Sequence, residues 1–292
     1  MHQASLAVRT LGAGDHAFLL VHGLAGSNLY WGAHYEELAD HALLVVPDLL
    51  GFASSPRPDS DYGPDAHADA LAATLRQVGV ERPAVVVAHS TGCLVALRLA
   101  ARHPALVAGI LGFGPPLYRD RHQAKAHLSG LGVLTRLFAL DTPLAHRLCA
   151  WLCCQRPELA ARLAQLSRPD LPAPVARDGV RHSWASYAGT LRRVVLDAPA
   201  AGWLDAVKVP VHLVAGRSDG VVDLGFLGEL AARYPLLSVE AWTRSGHDAP
   251  LTDPARCVEA IGAFSSRLDQ PAGSCTRAAG AATKHSADRD LC

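Results

Sequence analysis

The sequence predicts an α/β fold, a mostly parallel sheet with helices on both faces and a helical insertion. Three observations predict it. Short apolar runs rich in Val, Leu and Ala recur along the chain, each followed by a Gly- or Pro-bearing turn and an amphipathic stretch, the alternation that builds parallel sheets. Most of these runs are near-continuous in apolar character rather than alternating, which suits strands covered on both faces. Between Pro115 and Trp203 the alternation stops, and helix-like stretches separated by Pro143, Pro157, Pro169, Pro172, Pro174 and Pro199 replace it.

In chain order, the expected strands are Ala17 to Val21, Ala42 to Val46, Ala84 to Ala88, Val107 to Leu111, Val211 to Ala215 and Leu237 to Trp242. Helices are expected over Trp31 to Asp40, Asp65 to Val78, Thr91 to Arg102, Leu224 to Tyr234 and Pro254 to Leu268, where apolar residues recur three and four apart. The last begins with Asp253 then Pro254, an N-cap followed by a first-turn proline. The division that follows is a core over residues 1–115 and 204–269 and a helical cap over 116–203. Within the cap, Leu128 to Leu140 and Leu144 to Cys154 are more apolar than isolated surface helices should be, so they are expected to cover the ligand-binding edge of the sheet as a lid. From residue 270 to 292 the chain is small, polar and charged, including Cys275 and Cys292, and a disordered tail is expected. No internal repeat is visible.

Composition excludes several classes. Half of the 292 residues are apolar and 18% are charged, which excludes a disordered chain as a whole. The 27 basic and 27 acidic residues cancel, leaving no global field to recruit nucleic acid or anionic lipid, so a small-molecule partner is expected. No apolar run reaches the length of a membrane span. Met1 to Ala13 lacks the basic start and apolar run of a secretion signal, so a cytoplasmic protein is expected. Of the seven cysteines, Cys149, Cys153 and Cys154 share a segment. Their spacing, without a companion histidine pair, looks little like a zinc site; packing residues are expected, with no metal and no cofactor.

The most informative segment runs from Ala84 through His89-Ser90-Thr91-Gly92 into a helix. A serine on a tight strand-to-helix turn, flanked two residues away by Ala88 and Gly92, has the pattern of a nucleophile elbow, in which small neighbours let strand and helix approach. An ordinary serine N-cap is the alternative. Upstream, the strand ending Leu20-Val21 runs into His22-Gly23-Leu24-Ala25-Gly26, a loop at the sheet edge where ligands bind in open α/β sheets. The amides of Leu24 and Thr91 are the candidate oxyanion donors, and the His22 ring is expected to brace the loop.

A serine hydroxyl is a poor nucleophile without a base, and the base needs an orienting carboxylate. Of the fifteen histidines, His34, His67, His103 and His146 fall in expected helices and His285 in the tail, where solvated positions are expected. His247 instead follows the last strand in Ser245-Gly246-His247, and Asp219 follows the strand before it in Gly216-Arg217-Ser218-Asp219. Asp223 is expected to cap the next helix, Asp205 precedes the strand, and Asp48 belongs to a structural loop, Pro47 to Pro56.

These motifs, in the order Ser90, Asp219, His247, resemble the α/β-hydrolase superfamily, in its branch with a helical cap between the sixth and seventh strands. The resemblance spans about residues 15–268. It implies a catalytic triad of those three residues, a Leu24/Thr91 oxyanion hole, and hydrolysis of an ester or thioester of a small, partly apolar acyl substrate through an acyl-enzyme. Trp151 and Trp184 in the cap suggest the apolar portion. Epoxide hydrolases and haloalkane dehalogenases carry aspartate at the elbow, where this chain has Ser90. A carbon-carbon bond hydrolase, a cofactor-free haloperoxidase and an acyltransferase share the motifs, and a non-catalytic ligand receptor of the same fold is the alternative from another class.

Overall fold

A computed structural model describes residues 5–129 and 143–270. The sheet has seven strands: β1 (Val8–Leu11), β2 (Ala17–Val21), β3 (Leu43–Pro47), β4 (Ala84–His89), β5 (Val107–Phe113), β6 (Val211–Gly216) and β7 (Leu237–Trp242). Their order is β1-β3-β2-β4-β5-β6-β7. Only β1 runs antiparallel, pairing Val8 with Pro47 and Leu11 with Leu44; every other pairing is parallel. This edge strand is short and lies outside the six runs expected from sequence, because its residues Val-Arg-Thr-Leu are neither continuously apolar nor cleanly alternating.

Side chains alternate across each strand, so every central strand supplies both faces. Leu19 and Val21 of β2 and Val86 and Ala88 of β4 pack beneath α1 (Pro64–Gln77) and α2 (Thr91–Arg102). Phe18, Leu20, Val85 and Val87 point the other way, into a second core with Trp31, Tyr35 and the helix Pro254–Leu268. All six residues of β4 are buried. β7 departs from the continuous pattern: Ser238 and Glu240 are exposed between buried Leu237 and Trp242, because it is an edge strand, and a charge there opposes pairing with another chain.

The helix expected over Trp31 to Asp40 is instead two 3₁₀ segments, Asn28–Tyr30 and Ala33–Asp40. Gly32 separates them, and the turns close through i to i+3 bonds such as Tyr30 N to Ser27 O and Tyr35 N to Gly32 O. Asp253 does cap the last helix, accepting from the Arg256 amide. Between β5 and β6 the described elements are helices, from Arg121–Ser129 to Ala200–Asp205, two of them π-helical (Ala150–Gln155 and Leu191–Leu196), with one isolated antiparallel bridge from His182 to Phe52. The expected apolar stretch Leu128 to Leu140 lies mostly outside the described residues, as does the tail. No helix among the described residues is long and apolar enough to cross a membrane.

From β2 the chain crosses to β3 on one side, then returns to place β4 on the other side of β2. The loops leaving β2 and β4 therefore part at the carboxyl edge of the sheet and open a crevice between them. Ser90 stands at the end of β4, in that crevice.

Candidate active site

Ser90 has φ +52° and ψ −125°, a region that side chains rarely adopt and that costs about 1–3 kcal/mol to hold. The surrounding backbone enforces it. The Ser90 amide donates to Phe113 O on β5 at 2.8 Å, and Ser90 O accepts from the Cys93 amide at 2.8 Å. A Cβ on Gly92 would lie 2.6 Å from both Val21 O and His22 O, which is why glycine follows the serine by two. Ala88 is buried, with its carbonyl accepting from the Cys93 thiol. Burial pushes that thiol's pKa well above its ordinary range, so Cys93 is a packing residue behind the turn.

His247 arrives on the loop after β7 and Asp219 on the loop after β6. His247 Nδ1 is 2.9 Å from Asp219 Oδ2, and Nε2 is 2.9 Å from Ser90 Oγ. A carboxylate only accepts, so Nδ1 carries the proton and Nε2 presents its lone pair to the Ser90 hydroxyl. Asp219 Oδ1 accepts from the Val221 amide at 2.8 Å. The Asp219 side chain is fully buried, whereas His247 remains a quarter exposed, open to the cavity. Asp223 accepts from the Phe226 amide as a helix N-cap, and Asp205 accepts from Tyr234 away from the site. Buried Asp48 accepts from the Asn28 and Ser54 amides and stiffens its loop.

The β2 loop comes close enough to Ser90 that a Cβ on Gly23 would lie 3.0 Å from Ser90 Cβ. His22 braces this loop: Nε2 accepts from the Leu49 amide at 2.8 Å, which leaves Nδ1 to donate to Gly23 O at 2.7 Å. Burial lowers its pKa and keeps it neutral. Thr91 is the first residue of α2, so its amide has no partner within the helix; Leu24 lines the cavity beside Ser90.

Four neighbours escaped the sequence reading. Gly114, at φ +61°, leaves room for the His247–Asp219 pair, since a Cβ there would lie 3.0 Å from His247 Nδ1. His89 is buried with Nε2 donating to His247 O at 3.0 Å; its ring stacks on Tyr30 at 4.6 Å. Burial and the neighbouring His247 push its pKa down to about 4. Asp248 accepts from Tyr30 at 3.2 Å and from Arg168, in the helical insertion, at 2.9 Å. The glycine in Gly112-Phe113-Gly114 after a buried strand was the available signal; the others needed the third dimension.

A cavity of about 480 Å³ opens above Ser90, His247 and Leu24. Leu152, Leu163, Leu171, Val175 and Val180 of the insertion form much of its wall. The two tryptophans expected there do not line it: Trp151 is nearly half exposed, and Trp184 stacks against His146 and Tyr187. His67, expected on the surface, is fully buried, with Nε2 3.0 Å from Thr190 Oγ1 of the insertion. Its helix turns that side chain toward the insertion, which a helical periodicity read in isolation leaves out. His34 and His146 are exposed, and His103 pairs with Asp69 at 2.7 Å.

A family model described as the alpha/beta hydrolase fold matches residues 16–254. An uncharacterized protein of Mycobacterium tuberculosis is 27% identical over 279 residues, covering 90% of this chain and 79% of the relative. A 2-hydroxymuconate semialdehyde hydrolase of a Pseudomonas species is 26% identical over 253 residues, covering 83% of each. An esterase from Exiguobacterium antarcticum superposes with a TM-score of 0.71 at 16% identity, over 90% of this chain and 98% of the esterase, a likeness of fold.

Proposed function

The chain belongs to the α/β-hydrolase fold family, and we propose that it is a serine hydrolase cleaving an ester or thioester of a small, partly apolar substrate. The observation that carries this reading is the continuous relay from Ser90 Oγ through His247 to buried Asp219, at a serine held in a strained turn. His247 takes the hydroxyl proton through Nε2 as Oγ attacks the acyl carbon, and Asp219 holds Nδ1–H in the required tautomer. The amides of Leu24 and Thr91 receive the oxyanion, a contribution of about 3 kcal/mol per donor. Collapse of the adduct expels the alcohol or thiol with a proton from His247. Water, deprotonated by the same imidazole, then attacks the acyl-enzyme and releases the acid and Ser90.

The helical stretch over residues 116–203 acts in this reading as the cap, since its apolar side chains wall the cavity over Ser90. A cavity of about 480 Å³ fits a substrate with a short to medium apolar chain. The similarity to a 2-hydroxymuconate semialdehyde hydrolase supports a second reading, a carbon-carbon bond hydrolase working through the same three residues.

A fluorophosphonate probe tests the nucleophile. The folded protein is expected to be labelled at Ser90 and Ser90→Ala to stay unlabelled; a folded wild type unmodified at Ser90 overturns the assignment. p-Nitrophenyl esters of graded chain length then read the cavity, with turnover falling once the acyl chain outgrows it. Turnover of a vinylogous diketone in preference to every ester selects the second reading. Thermal stabilisation by such ligands without any turnover selects a receptor.

A further inference from the structure

The helical insertion brings together three side chains that the proposed hydrolysis does not use. Cys149 ends the helix Pro143–Cys149, Cys153 lies in the π-helical segment after it, and His182 comes from the connection before the helix Trp184–Thr190. One ligand atom from each lies within 4.8 Å of the other two. Among the described residues, no other three His, Cys, Asp or Glu side chains converge in this way. Cys149 Sγ is 3.9 Å from His182 Nδ1, longer than a strong hydrogen bond, while the Cys149 and Cys153 thiols lie close enough to hydrogen-bond each other.

We propose that Cys149, Cys153 and His182 bind one thiophilic divalent cation of the Zn²⁺ class in the cavity wall. Tetrahedral coordination with Zn–S about 2.3 Å and Zn–N about 2.0–2.1 Å sets ligand atoms about 3.6–3.8 Å apart. The cluster therefore contracts by at most about 1.2 Å on loading, a movement side-chain rotation supplies. The His182 ring is held for the task. It stacks on Tyr187 at 5.1 Å and packs against Phe52, contacts that fix the plane of the ring. Cys153 and His182 also line the cavity above Ser90, whereas Cys149 is fully buried. Loading ties the Cys149–Gln155 stretch to the segment entering Trp184–Thr190 and moves no electrons; both thiols lose a proton to solvent as the Zn–S bonds form. Cys154 stands apart, its thiol pointing at His182 O at 3.8 Å.

Cys149, Cys153 and Cys154 have no histidine pair beside them in sequence. A single histidine from a different segment completes the set, which spacing along the chain does not reveal.

The test uses the full chain, reduced and stripped with chelator, titrated with Zn²⁺ against a chromophoric competitor and with Co²⁺ by absorption. One Zn²⁺ per chain is expected, with a raised Tm and a thiolate-to-cobalt charge-transfer band. Cys149→Ser and Cys153→Ser should each weaken both the band and Zn²⁺ binding, and the double variant should lose them, while Cys154→Ser binds as the wild type does. Alkylation provides a reading independent of variant folding: Zn²⁺ should protect Cys153, the partly exposed thiol of the pair, from iodoacetamide and leave exposed Cys154 reactive. Absence of a charge-transfer band in the wild type, undiminished binding in Cys149→Ser/Cys153→Ser, or alkylation unaffected by Zn²⁺ overturns the site. Ser90→Ala should bind Zn²⁺ normally, so failure of the hydrolase reading and failure of the metal site appear in separate experiments.

Discussion

The sheet and the helical insertion differ in how tightly each fixes its own residues. Around Ser90 nearly every backbone position is set by a neighbour: the turn is tied to β5, Gly92 abuts the end of β2, and Gly23 and Gly114 each leave room for a reacting side chain. The insertion is looser, with two π-helical turns and with Leu144, Trp151, Leu159, Leu163 and Leu166 substantially exposed. The difference teaches where each property resides. In the proposed hydrolysis, bond-making geometry depends on the strained, over-determined edge of the sheet, and the shape of the cavity depends on a layer that can vary without disturbing it.

The sharpest way to break this contrast is to disable the relay without disturbing the fold. His247→Ala and Asp219→Asn are expected to lower kcat on p-nitrophenyl esters by roughly 10³-fold or more, Asp219→Asn because the amide favours the wrong imidazole tautomer. Circular dichroism and Tm should stay close to wild type for His247→Ala, whose ring is partly exposed. If either variant keeps wild-type turnover while folded, the relay is not the reacting assembly.

The same contrast governs what could be read from the chain. β2, α2, β7 and the last helix fall where their apolar patterns place them, because each is bounded by its own turn or cap. Ser90, Asp219 and His247 were legible because each follows a parallel strand at the same sheet edge, so position along the chain translated into position in space. Gly114 could have been noticed; His89, Arg168 and Asp248 could not, because their roles come from contacts between segments far apart in sequence. In the insertion, the tryptophans misled because residue type says that a side chain is apolar but not which way its helix turns. His67 misled for the same reason, a burial imposed by Thr190 from the other region.

His67 and His89 make a test of intermediate size, one at the seam with the insertion and one within the sheet edge. Burial pushes both pKa values down to about 4, assisted by His22 for His67 and by His247 for His89. In the unfolded chain each ring takes a proton below about pH 6.5. Between those values the unfolded state binds more protons, so stability falls as pH drops from about 6.5 to about 4 and levels off below. The loss is on the order of 3 kcal/mol per ring. Denaturant melts across that window should show it, and His67→Gln, which can still bond Thr190, should remove about half of the contribution from this pair. An unchanged slope would mean that His67 gains water or a proton in the folded state and that the seam is open.

The smallest expected effect lies at an ion pair joining the insertion to the His247 loop. Arg168 donates to Asp248 at 2.9 Å and also pairs with Asp170, but its side chain is nearly half exposed. Such a pair contributes less than about 1 kcal/mol after screening. Arg168→Ala should therefore leave Tm nearly unchanged. Burial tends to raise the Asp248 pKa, and His89, His247 and Arg168 together hold it below its ordinary range; with the arginine gone, the two histidines and the Tyr30 hydroxyl still face the carboxylate. Arg168 also helps to hold the Ser167–Leu171 stretch, part of the cavity wall, against the loop that carries His247. The variant should accordingly raise KM for apolar esters several-fold with kcat within about two-fold, the signature of lost uniform binding. A ten-fold fall in kcat would show instead that the insertion helps to aim His247, and the separation between a rigid edge that reacts and a looser layer that selects would fail at this contact.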